Sequence, residues 1–181
     1  MRFALIMTAG LLPLAACDSG SVSARNASVA EVAAKAQGLA QIEPGLWTTT
    51  TDVRAIEIPG MDEPRIMEGV TAQLKKRHAI ASTHCVTPEE ASRPPSEMFA
   101  GKNSGECRYD KFDMGGGRLN AAMTCSPQGQ PGKMTMTMAG SYSSTSYDLA
   151  MEMKVSNPAI PGGGMTMKSR TKGARTGACD A

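Results

Sequence analysis

Two runs of alternating methionines constrain this chain more than any other sequence feature. In residues 133–155, every second position of each run is Met or Val, and Thr, Glu or Lys stand between them. A period of two is typical of a β-strand, whose successive side chains point to opposite faces. Folding over Ser144-Thr145 makes four facing pairs apolar: Tyr142 with Tyr147, Met138 with Met151, Met136 with Met153, and Met134 with Val155. Because a slip of one residue would mix the faces, this register predicts a β-hairpin with an apolar inward face.

The first sixteen residues have the layout of a secretory signal peptide. Arg2 supplies a positive charge, and Phe3 to Ala16 is mostly apolar but too short to span a bilayer. Leu14-Ala15-Ala16-Cys17 resembles the bacterial lipobox, whose cysteine receives a diacylglyceryl group and becomes the new N-terminus. The alternative is an ordinary signal peptide whose end happens to meet a cysteine. We predict a signal peptide at residues 1–16 and lipidation of Cys17.

A lipidated Cys17 places the protein on the periplasmic side of a bacterial membrane, with the membrane itself as a partner. Two or more acyl chains give stable anchoring, whereas one gives only marginal binding. Asp18 resembles an inner-membrane retention signal, which favours the inner membrane.

Residues 17–41 are predicted to comprise the lipidated cysteine, a flexible tether and a short helix. The segment from Asp18 to Asn26 is rich in Ser, Gly and Ala, which bury little apolar surface and favour a flexible chain. Ser28 and Glu31 have the spacing of a capping box. Apolar residues then recur at helical spacing up to Gly38, which predicts a helix over Val29 to Gln37.

Four further cysteines predict two disulfides, because an even number in an exported chain is typical of an oxidising compartment. Cys107 and Cys125 are equidistant from Gly116, the centre of a three-glycine turn. A hairpin about that turn brings the two cysteines opposite each other, where their Cβ atoms are close enough to bond. The remaining pair, Cys85 and Cys179, then ties the end of the chain to its middle.

Other segments complete an all-β pattern over residues 42–181. A Thr-rich strand is predicted from Leu46 to Ile58, and another begins at Met165. Thr87 followed by Pro88 and two acids has the pattern of a helix start. We expect an antiparallel sheet of about six to eight strands with one or two short helices, closed into a barrel or stacked as a sandwich.

Several segments together resemble a known family. They are Pro44-Gly45-Leu46-Trp47, Pro59-Gly60-Met61, Cys85-Val86-Thr87-Pro88-Glu89-Glu90-Ala91, Met123-Thr124-Cys125 and Gly177-Ala178-Cys179. This combination is similar to the uncharacterised proteobacterial envelope proteins grouped as domain-of-unknown-function family 3617, over residues 42–179. The resemblance implies an exported all-β domain with cysteines at similar positions. It carries over no activity and no catalytic residues.

The sequence favours a non-catalytic protein without a cofactor or a metal. It contains no G-x-S-x-G, H-E-x-x-H, P-loop or G-x-G-x-x-G motif. A zinc site is the rival interpretation of the cysteines, but there is no C-x-x-C, and His78 and His84 lack finger spacing. A net charge of +2 is too small to argue for a nucleic-acid partner.

Two functions remain as hypotheses. The first is a non-catalytic envelope lipoprotein whose Met-lined β domain binds a small apolar ligand or a segment of another envelope protein, because Met adapts to irregular apolar shapes. The second is periplasmic Cu(I) binding by thioethers, which suit that soft cation. The candidate copper ligands are Met134, Met136, Met138, Met151, Met153, Met165 and Met167. Solvent exposure separates the cases: buried Met indicates core, an open Met lining indicates a ligand, and exposed Met with His indicates copper.

Overall fold

The computed structural model describes residues 20–39, 42–60, 68–69, 71–73, 81–92, 106–126 and 131–179. The strands in these ranges are β1 (Val22–Ser28), β2 (Gly45–Glu57), β3 (Ser82–Val86), β4 (Glu106–Gly115), β5 (Arg118–Ser126), β6 (Lys133–Tyr142), β7 (Ser146–Ser156) and β8 (Gly164–Gly177). The helices are α1 (Val29–Ala36) and α2 (Pro88–Ala91), and a 3-10 turn at Pro161–Gly163 precedes β8.

The strands form one antiparallel sheet in the order β1-β4-β5-β6-β7-β8-β2-β3. The predicted all-β antiparallel class with a few short helices is therefore confirmed. Among the described residues β1 and β3 are the two outer strands, so this sheet is not closed.

The β6–β7 hairpin has the register that the methionine pattern predicts. Met138 pairs with Met151 and Met136 with Met153, while Tyr142 faces Tyr147 next to the turn. The hydroxyl of Ser143 accepts hydrogen bonds from the backbone N–H groups of Thr145 and Ser146, at 3.2 and 3.0 Å. These bonds satisfy donors in the turn that have no partner in the ladder.

The β4–β5 hairpin is also confirmed. Cys107 lies opposite Cys125, and the register shifts between Tyr109 and Lys111, which marks a β-bulge in β4. Gly116 and Gly117 form the two-residue turn with φ values of 55° and 71°. Glycine is favoured at both positions because other residues are strained at positive φ.

The prediction of a flexible tether is wrong from Val22 onward. Residues 22–28 form β1, which pairs antiparallel with β4. Asp113 holds the two strands together, because its carboxylate accepts hydrogen bonds from Arg25 at 2.8 and 3.1 Å and from Ser23 at 2.7 Å. The described part of the β domain thus begins at Val22 and not at residue 42. A local composition of small polar residues does not reveal pairing with a strand about ninety residues away.

The short helix α1 packs on β1 and β4 and defines what we call the inner face of the sheet. Its capping box is present, since Ser28 accepts from the N–H of Glu31 and the Glu31 carboxylate accepts from the N–H of Ser28. Two residues of α1, Val32 and Ala36, are fully buried. Val32 belongs to one hydrophobic layer with the inward side chains of β1, β4 and β5.

A disulfide links the C-terminal segment to β3, at the edge of the sheet opposite β1. Leu46 on β2 pairs with Cys85 on one side and with Gly177 on the other, so the Cys85–Cys179 bond crosses over β2. The Cα atoms are 5.6 Å apart in this pair, and 4.0 Å apart in the Cys107–Cys125 pair. Both bonds join the partners that the sequence predicts.

Candidate functional site

The inward methionines of the three central strands form a continuous apolar surface. We call it the Met face, and it consists of Met134, Met136, Met151, Met153, Met165 and Met167. One row of directly paired residues runs across five strands, through Met123, Met136, Met153, Met167 and Ile56. Neighbouring side chains in such a row touch, because facing Cβ atoms are roughly 5 Å apart.

Burial differs sharply along the inner face. On β4 and β5, beside α1, Tyr109 and Phe112 are fully buried and Met123 is 1% exposed. Met138, at the boundary, is also 1% exposed. The members of the Met face are all half-buried instead. The same face of one sheet is therefore a closed core at one side and a partly open apolar surface at the other.

Hydroxyl groups border the Met face toward β2. Thr171 on β8 donates a hydrogen bond to the sulfur of Met151 at 3.8 Å, and its hydroxyl lies 3.1 Å from that of Thr51. Because a thioether is a weak hydrogen-bond acceptor, this contact orients the Met151 side chain but adds little binding energy. The border gives the surface a few neutral polar groups beside its apolar centre.

An aromatic pair lies at one end of the inner face. The rings of Trp47 and Tyr147 stack with centroids 6.0 Å apart, and the Tyr147 hydroxyl is 2.9 Å from that of Thr49. Tyr147 crosses β8 at Gly173, where an added Cβ atom would lie 2.3 Å from its ring. The absence of a side chain at Gly173 therefore permits the stacking.

A depression of about 610 Å³ lies beside the β6–β7 turn. Its lining includes hydroxyl groups of Thr48 and Thr50 together with the charged groups of Asp148 and Lys172. The Asp148 carboxylate accepts hydrogen bonds from Arg170 at 2.6 and 2.8 Å and lies 3.5 Å from Lys172. The pKa of Asp148 lies below its ordinary value, and the hydrogen bonds from Arg170 are the main cause. Asp148 and its two cationic neighbours form a surface ion-pair network, as on an ordinary solvated sheet face.

Asp113 in the β4–β5 hairpin and Glu90 in α2 have structural roles. Asp113 binds Arg25, which holds the pKa of Asp113 well below its usual range. Glu90 accepts from the backbone N–H of Thr87 at 3.1 Å, and this bond is the chief reason why the pKa of Glu90 is lowered. His84 lies 3.4 Å from the Glu90 carboxylate, but 68% of its side chain is exposed. His84 and Glu90 therefore form an exposed surface contact at the N-terminal cap of α2.

Within the described ranges, no group of three or more His, Cys, Asp or Glu side chains could hold a metal ion. None of the helices in those ranges is both long enough and apolar enough to cross a membrane. Cys17 and His78 lie outside the described residues, so the lipidation of Cys17 stays a prediction.

The sequence predicts the methionine hairpin and both cysteine pairs, but three features of the structure were not predicted. These are the strand β1, the link between Arg25 and Asp113, and the contact of Tyr147 with Trp47 across Gly173. The single glycine inside the otherwise regular β8 pattern was a usable signal for the third feature, because such a glycine often marks a close approach.

Comparison with known proteins gives one match. The sequence model of the family described as protein of unknown function (DUF3617) matches residues 42–179. No curated protein and no solved structure gives a significant match to the chain.

Proposed function

The chain belongs to the DUF3617 family, and we propose that it is a non-catalytic envelope lipoprotein whose Met face binds an apolar ligand or a segment of a partner protein. The observation that carries the proposal is the change in burial along one sheet face, from closed core beside α1 to half-buried methionines on β6, β7 and β8. A contiguous apolar surface that stays partly exposed on a folded domain is typical of an interaction site.

The envelope location is supported by the leader and by the cysteines. The apolar segment that ends in Leu14-Ala15-Ala16-Cys17 favours export and lipidation. Two disulfides within one small domain suit an oxidising compartment such as the periplasm. Replacing Cys17 by Ser should release the protein from membranes, which fractionation of cells tests directly. A Ser variant that still sediments with membranes would contradict the lipid anchor.

The chemistry of the Met face favours an apolar occupant. Met side chains are unbranched and polarisable, so they adjust to a ligand of irregular shape. The hydroxyls of Thr51 and Thr171 stand at the border as the few polar groups that orient a bound molecule. Asp113, Asp148 and Glu90 already hold ion pairs or a helix cap, which supports a non-catalytic protein.

Binding of a fluorescent long-chain fatty acid to the mature protein tests the proposal. Met153→Gln should weaken probe binding by about fivefold, because a lost apolar contact of about 1 kcal/mol corresponds to that change. The matched control is Ala150→Gln, on the same strand but on the outer face, which should bind the probe like the wild type. Absence of probe binding by the wild type, or an equal effect of both variants, would contradict an apolar site on this face.

Copper binding is the alternative, and the direct pairing of Met136 with Met153 and of Met153 with Met167 favours it. Three neighbouring thioethers are a suitable ligand set for Cu(I). Met153→Leu separates the two functions, since Leu keeps the apolar surface and removes the sulfur. Under the apolar-ligand proposal this variant should bind the fatty acid normally. Tight binding of Cu(I) by the wild type in anaerobic titrations that keep the disulfides, lost in Met153→Leu, would favour copper.

A further inference from the structure

One end of the sheet gathers two hairpin turns and the start of β2. We call it the turn end, and it consists of Gly115–Arg118, Ser143–Ser146 and Glu43-Pro44. Backbone hydrogen bonds join these segments: the N–H of Tyr142 donates to Gly117 at 2.9 Å, and the N–H of Glu43 donates to Ser144 at 2.7 Å. The turn end is therefore one connected surface.

The N-terminal strand starts at this same end. Val22 pairs with Met114, one residue before the β4–β5 turn region. Gly20 and Ser21 lie against Gly115, since a Cβ atom added to Gly115 would be 2.6 Å from Cβ of Ser21 and 3.6 Å from the carbonyl oxygen of Gly20. The chain consequently reaches the folded domain beside the Gly116-Gly117 turn.

Two residues, Asp18 and Ser19, stand between Cys17 and Gly20, so three Cα-to-Cα steps join them. A chain rises at most about 3.6 Å per residue, so the Cα atom of Cys17 lies within roughly 11 Å of Gly20. From this length we infer that the turn end lies against the headgroup surface of the membrane that holds Cys17. The inference rests on the proposed lipid anchor and goes beyond it, because it assigns the surface of the domain that meets the bilayer.

The composition of the turn end suits the headgroup layer. Ser143, Ser144 and Thr145 are small, exposed and polar, and Arg118 presents an exposed guanidinium group beside the glycine turn. A cation near the surface is attracted to anionic lipids. Tyr142 is half-buried at the same end, and tyrosine is frequent where apolar and wet regions meet.

The other end of the sheet is far from the anchor. β7 runs from Ser146 to Ser156, and ten steps of about 3.3 Å place these residues roughly 33 Å apart. Lys133 on β6 pairs with Ser156, so it marks the far end. A probe at Thr145 and a probe at Lys133 therefore sample opposite ends of the domain.

Energy transfer from tryptophan to dansyl-labelled headgroups tests the orientation. The lipidated full chain is reconstituted in phospholipid vesicles, and Thr145→Trp and Lys133→Trp are compared in a Trp47→Phe background, which leaves one donor in each protein. Both positions are exposed. Transfer should be roughly threefold or more higher from residue 145 than from residue 133, given their separation of about 33 Å. Wild-type Trp47, on β2 beside the turn end, provides a second donor that needs no substitution and should resemble residue 145.

A longer tether provides the control. Inserting about twelve Gly and Ser residues after Ser19 adds roughly 20 Å of flexible reach. The insertion should lower transfer from residue 145 toward that of residue 133 while the protein stays on the vesicles. Equal transfer from both ends, or a difference that the insertion does not change, would overturn the orientation and leave the lipid anchor standing. A wild type that fails to attach to the vesicles would overturn the anchor as well.

Discussion

Truncation of Met138 tests the burial pattern of the inner face most directly. Met138 lies between Ala121 on β5 and Met151 on β7, and 1% of it is exposed. Met138→Ala removes a side chain from a closed part of the core, so it loses both the transfer free energy and the packing around the resulting cavity. Met136, two residues earlier on the same face, is half-buried, and Thr137 between them is exposed on the other face.

The burial of these three neighbours gives an order of effects. Met138→Ala should lower the free energy of unfolding by about 3 kcal/mol, within the range for buried methionines. Met136→Ala should cost about half as much, since part of its side chain is already in water. Thr137→Ala should cost less than about 1 kcal/mol, which covers the loss of β-propensity at an exposed site.

Urea unfolding of the oxidised proteins, with both disulfides intact, measures these differences. The slope against urea should be the same in all variants, because the amount of surface exposed on unfolding hardly changes. The melting temperature of Met138→Ala should fall by about 6–12 °C. A loss at Met136 as large as at Met138 would show that the Met face is fully covered in solution. A loss at Thr137 larger than at Met138 would refute the assignment of the faces.

Three other perturbations address separate parts of the fold. Replacing both cysteines of the Cys85–Cys179 bond by Ser should reduce stability by about 4–5 kcal/mol in a chain-entropy account, since the bonded residues are 94 apart; thermal unfolding checks this, and an unchanged melting temperature would contradict it. Arg25 lowers the pKa of Asp113, so their contact stabilises the fold above about pH 4 and is lost as the pH falls through the lowered pKa. Asp113→Asn should therefore lower the free energy of unfolding by up to about 1 kcal/mol at pH 7, because the pair is partly exposed. The difference in free energy of unfolding between this variant and the wild type, measured by urea unfolding, should be smaller at pH 2. Gly173→Ala should push Tyr147 away from the single tryptophan, because the new Cβ would lie 2.3 Å from the ring; unchanged tryptophan fluorescence would show that the stacking does not depend on this glycine.

The sequence by itself was sufficient for the local pairing of this protein. The alternation around Ser144-Thr145 allows one register in which every inward partner is apolar, and the structure has that register. Cys107 and Cys125 likewise follow from their equal distance to Gly116. Ser28 and Thr87 could be recognised as helix caps because a capping box depends on residues three apart. In each case the partners are close in the chain, so spacing alone determines which groups meet.

Only the tertiary structure determined which distant segments pack against the elements that residue spacing predicts. Residues 22–28 look like a polar linker until the free edge of β4 supplies hydrogen-bond partners, with Ser23 meeting Asp113 ninety residues later. Met136 and Met138 have the same place in the alternation, yet the first is half-buried and the second is fully buried. Alternation reports the face to which a side chain points, but its burial depends on whether distant segments such as α1 cover that part of the sheet.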